Sequence, residues 1–281
     1  MNLAEPTSPT TVAPTVSIVI PAYNEEAMIE RCLAAAVDQT VPAREILVID
    51  NRSTDATAAR ARAVSERHPD ARIRVLGQDG KQGLIPTRNL GFAAAEGDVL
   101  GRIDADTVVA RDWVARVTAA MSDRAVGAVS GPVAYYGLPF RGPDRVSDDL
   151  ARRAVRRLGR KYPFLYGCNM AIRADAWRTI EHDACQDDHD LLHEDIDLSV
   201  HLYEAGIPVG YVSMMRADVS ARRLTTSPEE FRDYTRRFER TYASHQIDEW
   251  YLRAPQMLLQ SVYWWARVLR RIAPAPRAVL A

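Results

Sequence analysis

Three cysteines in 281 residues, Cys32, Cys168 and Cys185, are too few and too widely spaced for a disulfide framework. No CxxC pair offers a cysteine-based zinc site, and the scarcity suits a reducing compartment. Long apolar runs are also missing: no stretch of about 18 uninterrupted apolar residues exists to form a transmembrane helix. Residues 1–15 have neither a basic start nor an apolar stretch and are rich in Pro and Thr, so they read as a disordered leader rather than a signal peptide. Neither sign of charge dominates. Lys plus Arg total 36 against 37 Asp plus Glu, a formal charge of −1, which argues against a dedicated nucleic-acid binder. With 47% hydrophobic and 26% charged residues, the composition is that of an ordinary globular protein, and its expected location is the cytoplasm.

What is present is an alternation. Val16 to Ile20 is a β-branched run ended by Pro21, and Glu25 to Val37 reads as a helix with an acidic first turn. Strands at Glu45 to Ile49, Arg72 to Leu76, Asp98 to Ile103 and Val126 to Ser130 alternate with helices at about Ser53 to Arg67, Leu84 to Ala95 and Asp112 to Met121. This pattern predicts an α/β fold with a mostly parallel sheet flanked by helices on both faces. Ligands bind beyond the carboxyl ends of such strands. Polar clusters fall at three of those ends: Tyr23-Asn24-Glu25, Asp50-Asn51-Arg52 and Asp104-Ala105-Asp106.

The second half is less regular. Tyr135 to Arg160 reads as an excursion holding a helix near Asp148 to Leu158, followed by a short strand at Cys168 to Ile172 and a polar loop at His182 to Asp190. Glu194 to Glu204 is a helix closed by Gly206, and Ser227-Pro228 starts helical sequence that runs to the end.

Several nucleotide and metal patterns are excluded. Gly80-Lys81-Gln82 lacks the other P-loop residues, no GxGxxG occurs, and His193-Glu194-Asp195-Ile196-Asp197 has Asp where the second His of HExxH belongs. His182, Cys185, His189 and His193 read as a solvated polar neighbourhood rather than a metal site. Three DxD triplets occur, so the pattern alone carries little weight. Asp104-Ala105-Asp106 differs in following an apolar strand, which brings its carboxylates to the ligand edge of the sheet. Two carboxylates there suit a hard ion, Mg²⁺ or Mn²⁺, bridging to a diphosphate.

Five motifs stand in a fixed order: Ser17 to Glu26, Val48 to Asp55, Arg88-Asn89 with Gly91, Arg102 to Asp106, and His193 to Leu198. The series resembles glycosyltransferase family 2, with the GT-A fold, over about Val16 to Val212. The expected organisation is therefore a disordered leader over 1–15 and a C-terminal helical extension over 226–281, both outside the resemblance, around a GT-A catalytic domain over 16–225. The resemblance implies that Pro21, Ala22, Tyr23 and Glu25 hold the base and ribose of a nucleotide-sugar, and that Asp50 and Asn51 meet the base. Many members have Asp-Asp where this chain has Asp-Asn. An amide donates as well as accepts hydrogen bonds, so the choice among UDP-, GDP- and TDP-sugars stays open.

By the same resemblance Arg88 lies near the diphosphate, and Asp104, Ala105 and Asp106 form the DxD, with Asp106 and Asp104 as metal ligands. Glu194 and Asp195 match the ED motif, whose Asp is the catalytic base. The chemistry agrees, because an attacking hydroxyl must lose a proton and one carboxylate opposite the leaving diphosphate suffices for inversion. Members commonly carry Arg where His201 stands, and no His lies between His201 and His245. Arg222 and Arg223 are candidates for the diphosphate instead. Cys168 reads as a packing residue.

Leu258, Val262, Trp265, Leu269 and Ile272 recur at helical spacing, with Gln260, Arg267 and Arg271 opposite, and no acidic residue follows Glu249. Such a helix suits packing on its own domain, a homodimer interface, or peripheral contact with the inner face of the membrane beside a lipid-linked acceptor. The expected activity is that of an inverting, metal-dependent glycosyltransferase acting on a small-molecule, glycan or lipid-linked acceptor. A non-catalytic nucleotide-sugar-binding subunit is the alternative from another class. A sugar nucleotidyltransferase is disfavoured, since its Gly-rich loop and lysine after the first strand are missing.

Overall fold

A computed structural model describes residues 13–137, 143–159, 161–184, 187 and 191–272. Its first half is the predicted alternation: β1 (Val16–Ala22), α1 (Ile29–Val37), β2 (Glu45–Asp50), α2 (Thr57–Arg67), β3 (Ile73–Gly77), α3 (Leu84–Ala94) and β4 (Val99–Arg102). There follow β5 (Val108–Val109), α4 (Trp113–Met121), β6 (Ala128–Ser130), β7 (Val133–Tyr136), α5 (Pro143–Leu158), β8 (Met170–Arg173) and α6 (Ala174–Ile180). The chain continues with α7 (Glu194–Glu204), β9 (Val209–Tyr211), β10 (Ala217–Ser220), α8 (Pro228–Ser244) and α9 (Ala254–Ile272).

Seven strands form one sheet in the order β3-β2-β1-β4-β8-β6-β9, in which only β8 runs against its neighbours. Every residue of β1 is buried because both faces are covered. Ile18 and Ile20 pack with Ile29 and Leu33 of α1 and Val114 and Val117 of α4. Val19 faces the other way, with Leu47 and Ile49 against Phe92 of α3, Trp177 of α6 and Leu198 and Leu202 of α7. Each such side chain contributes roughly 1.5–3 kcal/mol on burial.

The α3 helix lies so close to β1 that a Cβ at Gly91 would meet Val19 Cγ1 at 2.3 Å and Ile49 Cγ1 at 3.0 Å. Gly91→Ala is therefore expected to destabilise the fold by about 1–3 kcal/mol through overpacking. Urea unfolding measures it, and an unchanged midpoint would show that α3 can retreat without loss.

Some boundaries depart from the sequence reading. Strand β1 continues through Pro21, paired with Ile49 of β2. Pro21 can sit there because its missing N–H faces the β4 side, where the ladder ends at Val19 and Arg102. Helix α1 begins at Ile29 rather than Glu25, since Glu25 to Met28 form a turn in which the Glu25 carbonyl accepts from Met28 and Ile29. The proposed leader is ordered by its last residue: Thr15 donates to Asp98 through its backbone N–H at 2.9 Å and its hydroxyl at 2.8 Å. Residues 1–12 lie outside the described part. Among the described residues, no helix is long and apolar enough to cross a membrane.

A second, three-stranded sheet, β5-β10-β7, was not legible in the sequence. Its strands are too short to show a period. It matters because β5 follows the DxD directly and β10 leads into Arg222, so the pairing of Asp218 with Val108 draws these segments together.

Helices α8 and α9 pack back onto the α/β body. Helix α8 starts with the expected Pro at its first position and a full capping box, Ser227 with Glu230. The inward face of α9 is Gln256, Leu259, Val262, Tyr263 and Ala266, with Tyr263 stacked on Phe231 at 3.8 Å between ring centroids. This corrects the predicted apolar face: Leu258 and Trp265 point to solvent, and Val262 alone of the described stripe packs inward. The side chains of Leu269 and Ile272 lie outside the described part.

Candidate functional site

The carboxyl ends of β1, β2 and β4, the start of α7 and the turn after β10 supply the polar side chains anticipated from the sequence. At the end of β2, Asp50 Oδ2 accepts from the Ser53 N–H at 3.4 Å, while its Oδ1 is buried and has no hydrogen-bond partner among the described residues. An orphaned carboxylate oxygen of this kind costs free energy unless a donor arrives. Asn51 is buried, with Oδ1 accepting weakly from Gly83 at 3.4 Å. Tyr23, which follows Pro21 and Ala22, stands half exposed above β1.

The DxD follows β4. Asp104 is 42% exposed and accepts from Arg102 at 2.6 Å. Asp106 is buried, and burial together with the negative charges of Asp104 and Glu25 pushes its carboxyl up to about 6. Ala105, between them, faces the core. Arg222 bridges the remaining charges: it forms a two-pronged pair with Glu25, one contact at 2.7 Å, and reaches Asp106 at 3.2 Å. Glu25 and Arg222 thus meet each other rather than standing open to a ribose and a diphosphate. Arg223 does not act alongside Arg222 but lies over the Tyr234 ring of α8, 4.1 Å from its centroid. Tyr136 of β7 braces the loop by donating its hydroxyl to the Asp106 carbonyl at 2.5 Å.

Asp104 and Asp106 offer carboxylate oxygens at the end of β4, Asp104 open to solvent and Asp106 under the negative potential of Asp104 and Glu25. That chemistry fits a hard divalent ion.

At the start of α7, Glu194 is clamped by two buried arginines, Arg88 at 2.6 Å and Arg102 at 2.9 Å. Arg88 is fully buried, its guanidinium also bonding Asn89 Oδ1 and lying against Phe92 and Trp177. In this structure it holds Glu194 rather than facing solvent at the sheet edge. The ladder Arg88–Glu194–Arg102–Asp104 thereby ties the two acidic motifs together. Gly167 is required beside it, because a Cβ there would fall 1.4 Å from Arg102 Nη1 and 2.9 Å from Glu194 Oε1.

Asp195 is oriented by two backbone donors, Gly167 at 2.9 Å to one oxygen and Ile196 at 2.9 Å to the other. Burial, reinforced by Glu194, raises its carboxyl to about 6, against the opposing pull of Gly167 and Arg102. Burial likewise raises the Cys168 thiol well above its ordinary value, in keeping with a packing role. Of the proposed solvated neighbourhood, His182 is exposed, whereas His193 is buried between Tyr234 and Phe238 and held neutral, its basicity lowered to about 3 by burial. Cys185 and His189 lie outside the described residues.

The motif Arg102 to Asp106 includes Arg102 without disclosing its role, and neither Gly167 nor Tyr136 stands out in the sequence. An arginine inside an otherwise apolar strand, two residues before an acidic pair, was the available signal for Arg102.

Comparisons with known proteins bear on the family and the fold. The model for glycosyl transferase family 2 matches residues 17–180, and that for glycosyl transferase family group 2 matches residues 102–280. The chain is 35% identical over 128 residues to glycosyltransferase AglE of Haloferax volcanii, covering 45% of this chain and 41% of that one. It is 28% identical over 208 residues to the probable glycosyltransferase YdaM of Bacillus subtilis, covering 70% and 49% respectively. The chain thus spans less than half the length of these curated relatives. Among solved structures, it resembles a mannosyltransferase from Pyrobaculum calidifontis in complex with GDP-Man and Mn²⁺, with TM-score 0.67, 21% identity and coverage of 95% and 77%. It also resembles GalNAc-T7 with UDP, GalNAc and Mn²⁺, with TM-score 0.60, 21% identity and coverage of 74% and 44%. These structural likenesses establish the GT-A fold.

Proposed function

The chain belongs to glycosyltransferase family 2, and on that premise we propose that it moves a sugar from a nucleotide-diphosphate donor to an acceptor hydroxyl with inversion. The observation that carries the donor assignment is the unpartnered Asp50 Oδ1 at the end of β2, on the same sheet edge as Asp104 and Asp106. The N3–H of uracil or thymine, or the N1–H of guanine, is the donor this oxygen lacks, and Asn51 beside it can give or accept the next hydrogen bond. Asp106 and Asp104 would hold a divalent ion, Mn²⁺ or Mg²⁺, which when bound offsets the charge of the departing diphosphate. Arg222 would exchange its carboxylate partners for phosphate oxygens as donor and metal enter. Asp195, oriented by Gly167 and Ile196, would take the acceptor proton.

Asp106→Ala is expected to lower metal-dependent affinity for the nucleoside diphosphate by at least about tenfold, about 1.4 kcal/mol. Isothermal titration with Mn²⁺ present, then with EDTA, checks this. Unchanged metal-dependent binding would remove Asp106 from the site.

The outward face of α9 supports a lipid surface as the place of work. Met257, Leu258, Trp264, Trp265 and Val268 form an exposed stripe at helical spacing, and Trp250, shortly before the helix, is exposed too. Tryptophan on one side with arginine nearby and no acid after Glu249 complements an anionic membrane and suits a lipid-linked acceptor. The doubly substituted Trp264→Ala, Trp265→Ala protein is expected to lose sedimentation with anionic vesicles that the parent shows. If the parent ignores vesicles but sediments as a dimer that the double variant breaks, the stripe joins two copies instead.

A further inference from the structure

Among the described residues, one cluster of ligating side chains begins at Asp197, two residues after Asp195, and has no part in the proposed transfer. Asp197 and His201 stand four residues apart on α7, hence on one face of the helix, and His245 caps the C-terminus of α8. Asp197 Oδ1 lies 2.7 Å from His245 Nε2 and 3.7 Å from His201 Nε2, and one ligand atom from each residue falls within 4.8 Å of the others. The two imidazoles meet edge to face, 5.1 Å between centroids, so their nitrogens converge on the carboxylate without stacking.

We propose that Asp197, His201 and His245 form a zinc site that pins α8 to α7. One carboxylate oxygen and two imidazole nitrogens are a donor set that zinc accepts, with the fourth position left to solvent at this partly open spot. The spacing is close to what the ion needs. Ligands at about 2.0–2.2 Å in a tetrahedron lie roughly 3.3–3.5 Å apart, a value that falls between the 2.7 and 3.7 Å separations here.

The surroundings hold these ligands in place. His201 Nδ1 faces Glu204 at 3.9 Å, a carboxylate behind a ligating imidazole that would direct its Nε2 inward. His245 is fixed by the close of α8: Gln246 takes a left-handed conformation, its N–H bonds the Ala243 carbonyl at 3.1 Å, and the Ile247 N–H bonds the Tyr242 carbonyl at 2.9 Å. A positive ion at a helix C-terminus is favoured as well. The consequence is mechanical, because α7 carries Glu194 and Asp195 on its first turn, so the ion would fasten the helix that presents the acidic pair.

The test is a titration of chelator-treated protein with Co²⁺ in excess Mg²⁺, which fills oxygen-only sites at Asp104 and Asp106 but competes poorly for imidazole. The expected result is visible ligand-field absorption saturating at one equivalent, displaced by Zn²⁺, and a melting temperature raised by Zn²⁺. His245→Gln keeps a hydrogen-bond donor for Asp197 but offers no imidazole nitrogen, so it should stay folded and lose both signals; His201→Ala should lose them too. Asp106→Ala should keep them. Absence of the absorption, or its survival in both histidine variants, would overturn the proposal.

Discussion

Replacing Asp195 with Asn is expected to lower kcat by about 10²–10⁴-fold, the usual contribution of a positioned general base, with donor affinity nearly unchanged. The substitution is close to isosteric, and an Asn oxygen can still accept the Gly167 N–H, although its NH2 group cannot accept the Ile196 N–H that the second carboxylate oxygen takes. What the amide cannot do is accept a proton. The expected signature is therefore loss of turnover without loss of nucleotide binding, measured by product formation and titration on the same sample. Transfer at the parent rate would remove Asp195 as the base. The Co²⁺ titration then has its own meaning, since that site involves neighbouring residues but reads metal absorption, not turnover.

Glu194→Ala should have the largest effect on stability. It deprives Arg88, whose side chain is fully buried, and Arg102, which is nearly so, of a shared carboxylate. Breaking a buried pair by removing one partner costs about 3–5 kcal/mol, because the other charge stays in a medium that solvates it poorly. For a domain of this size that corresponds to a midpoint lower by roughly 6–20 °C. Calorimetry or denaturant unfolding gives the number. A shift of less than about 1 kcal/mol would mean that Asn89 and Asp104 satisfy the two arginines unaided, and that the ladder does not hold the acidic motifs together.

The contrast between these residues shows what a sequence can disclose. The parallel core was legible because β1 and β2 are continuous apolar runs, and α7 was found to the residue because its acidic start and Gly206 mark both ends. The polar clusters were found because they follow those strands. Their partners were not, since the contacts are made over long separations: Arg222 meets Glu25 across 197 residues, and Arg88 meets Glu194 across 106. Arg88 looked like a diphosphate contact because its motif position was visible while its burial was not.

The same limit explains α9 and the small sheet. Helical spacing showed that α9 has apolar residues around much of its circumference, so a stripe could be drawn through Leu258 and Trp265. Stacking of Tyr263 on Phe231 decided which side turns inward. Strand β5 has two residues, and the apolar–polar alternation of β10 runs over only four, too few to mark a strand; their pairing depends on where the rest of the chain places them. His245 likewise joins Asp197 and His201 only through the way α8 ends.

The central claim is that Asp50, Asn51, Asp104 and Asp106 together form a site for a nucleoside diphosphate and a divalent ion. Calorimetric titration of UDP, GDP, TDP and CDP into the folded protein, each with Mn²⁺ and again with EDTA, tests it most directly. The account predicts that one nucleotide binds in the presence of Mn²⁺ and is lost on chelation. Failure of all four to bind, or binding indifferent to EDTA, would contradict it.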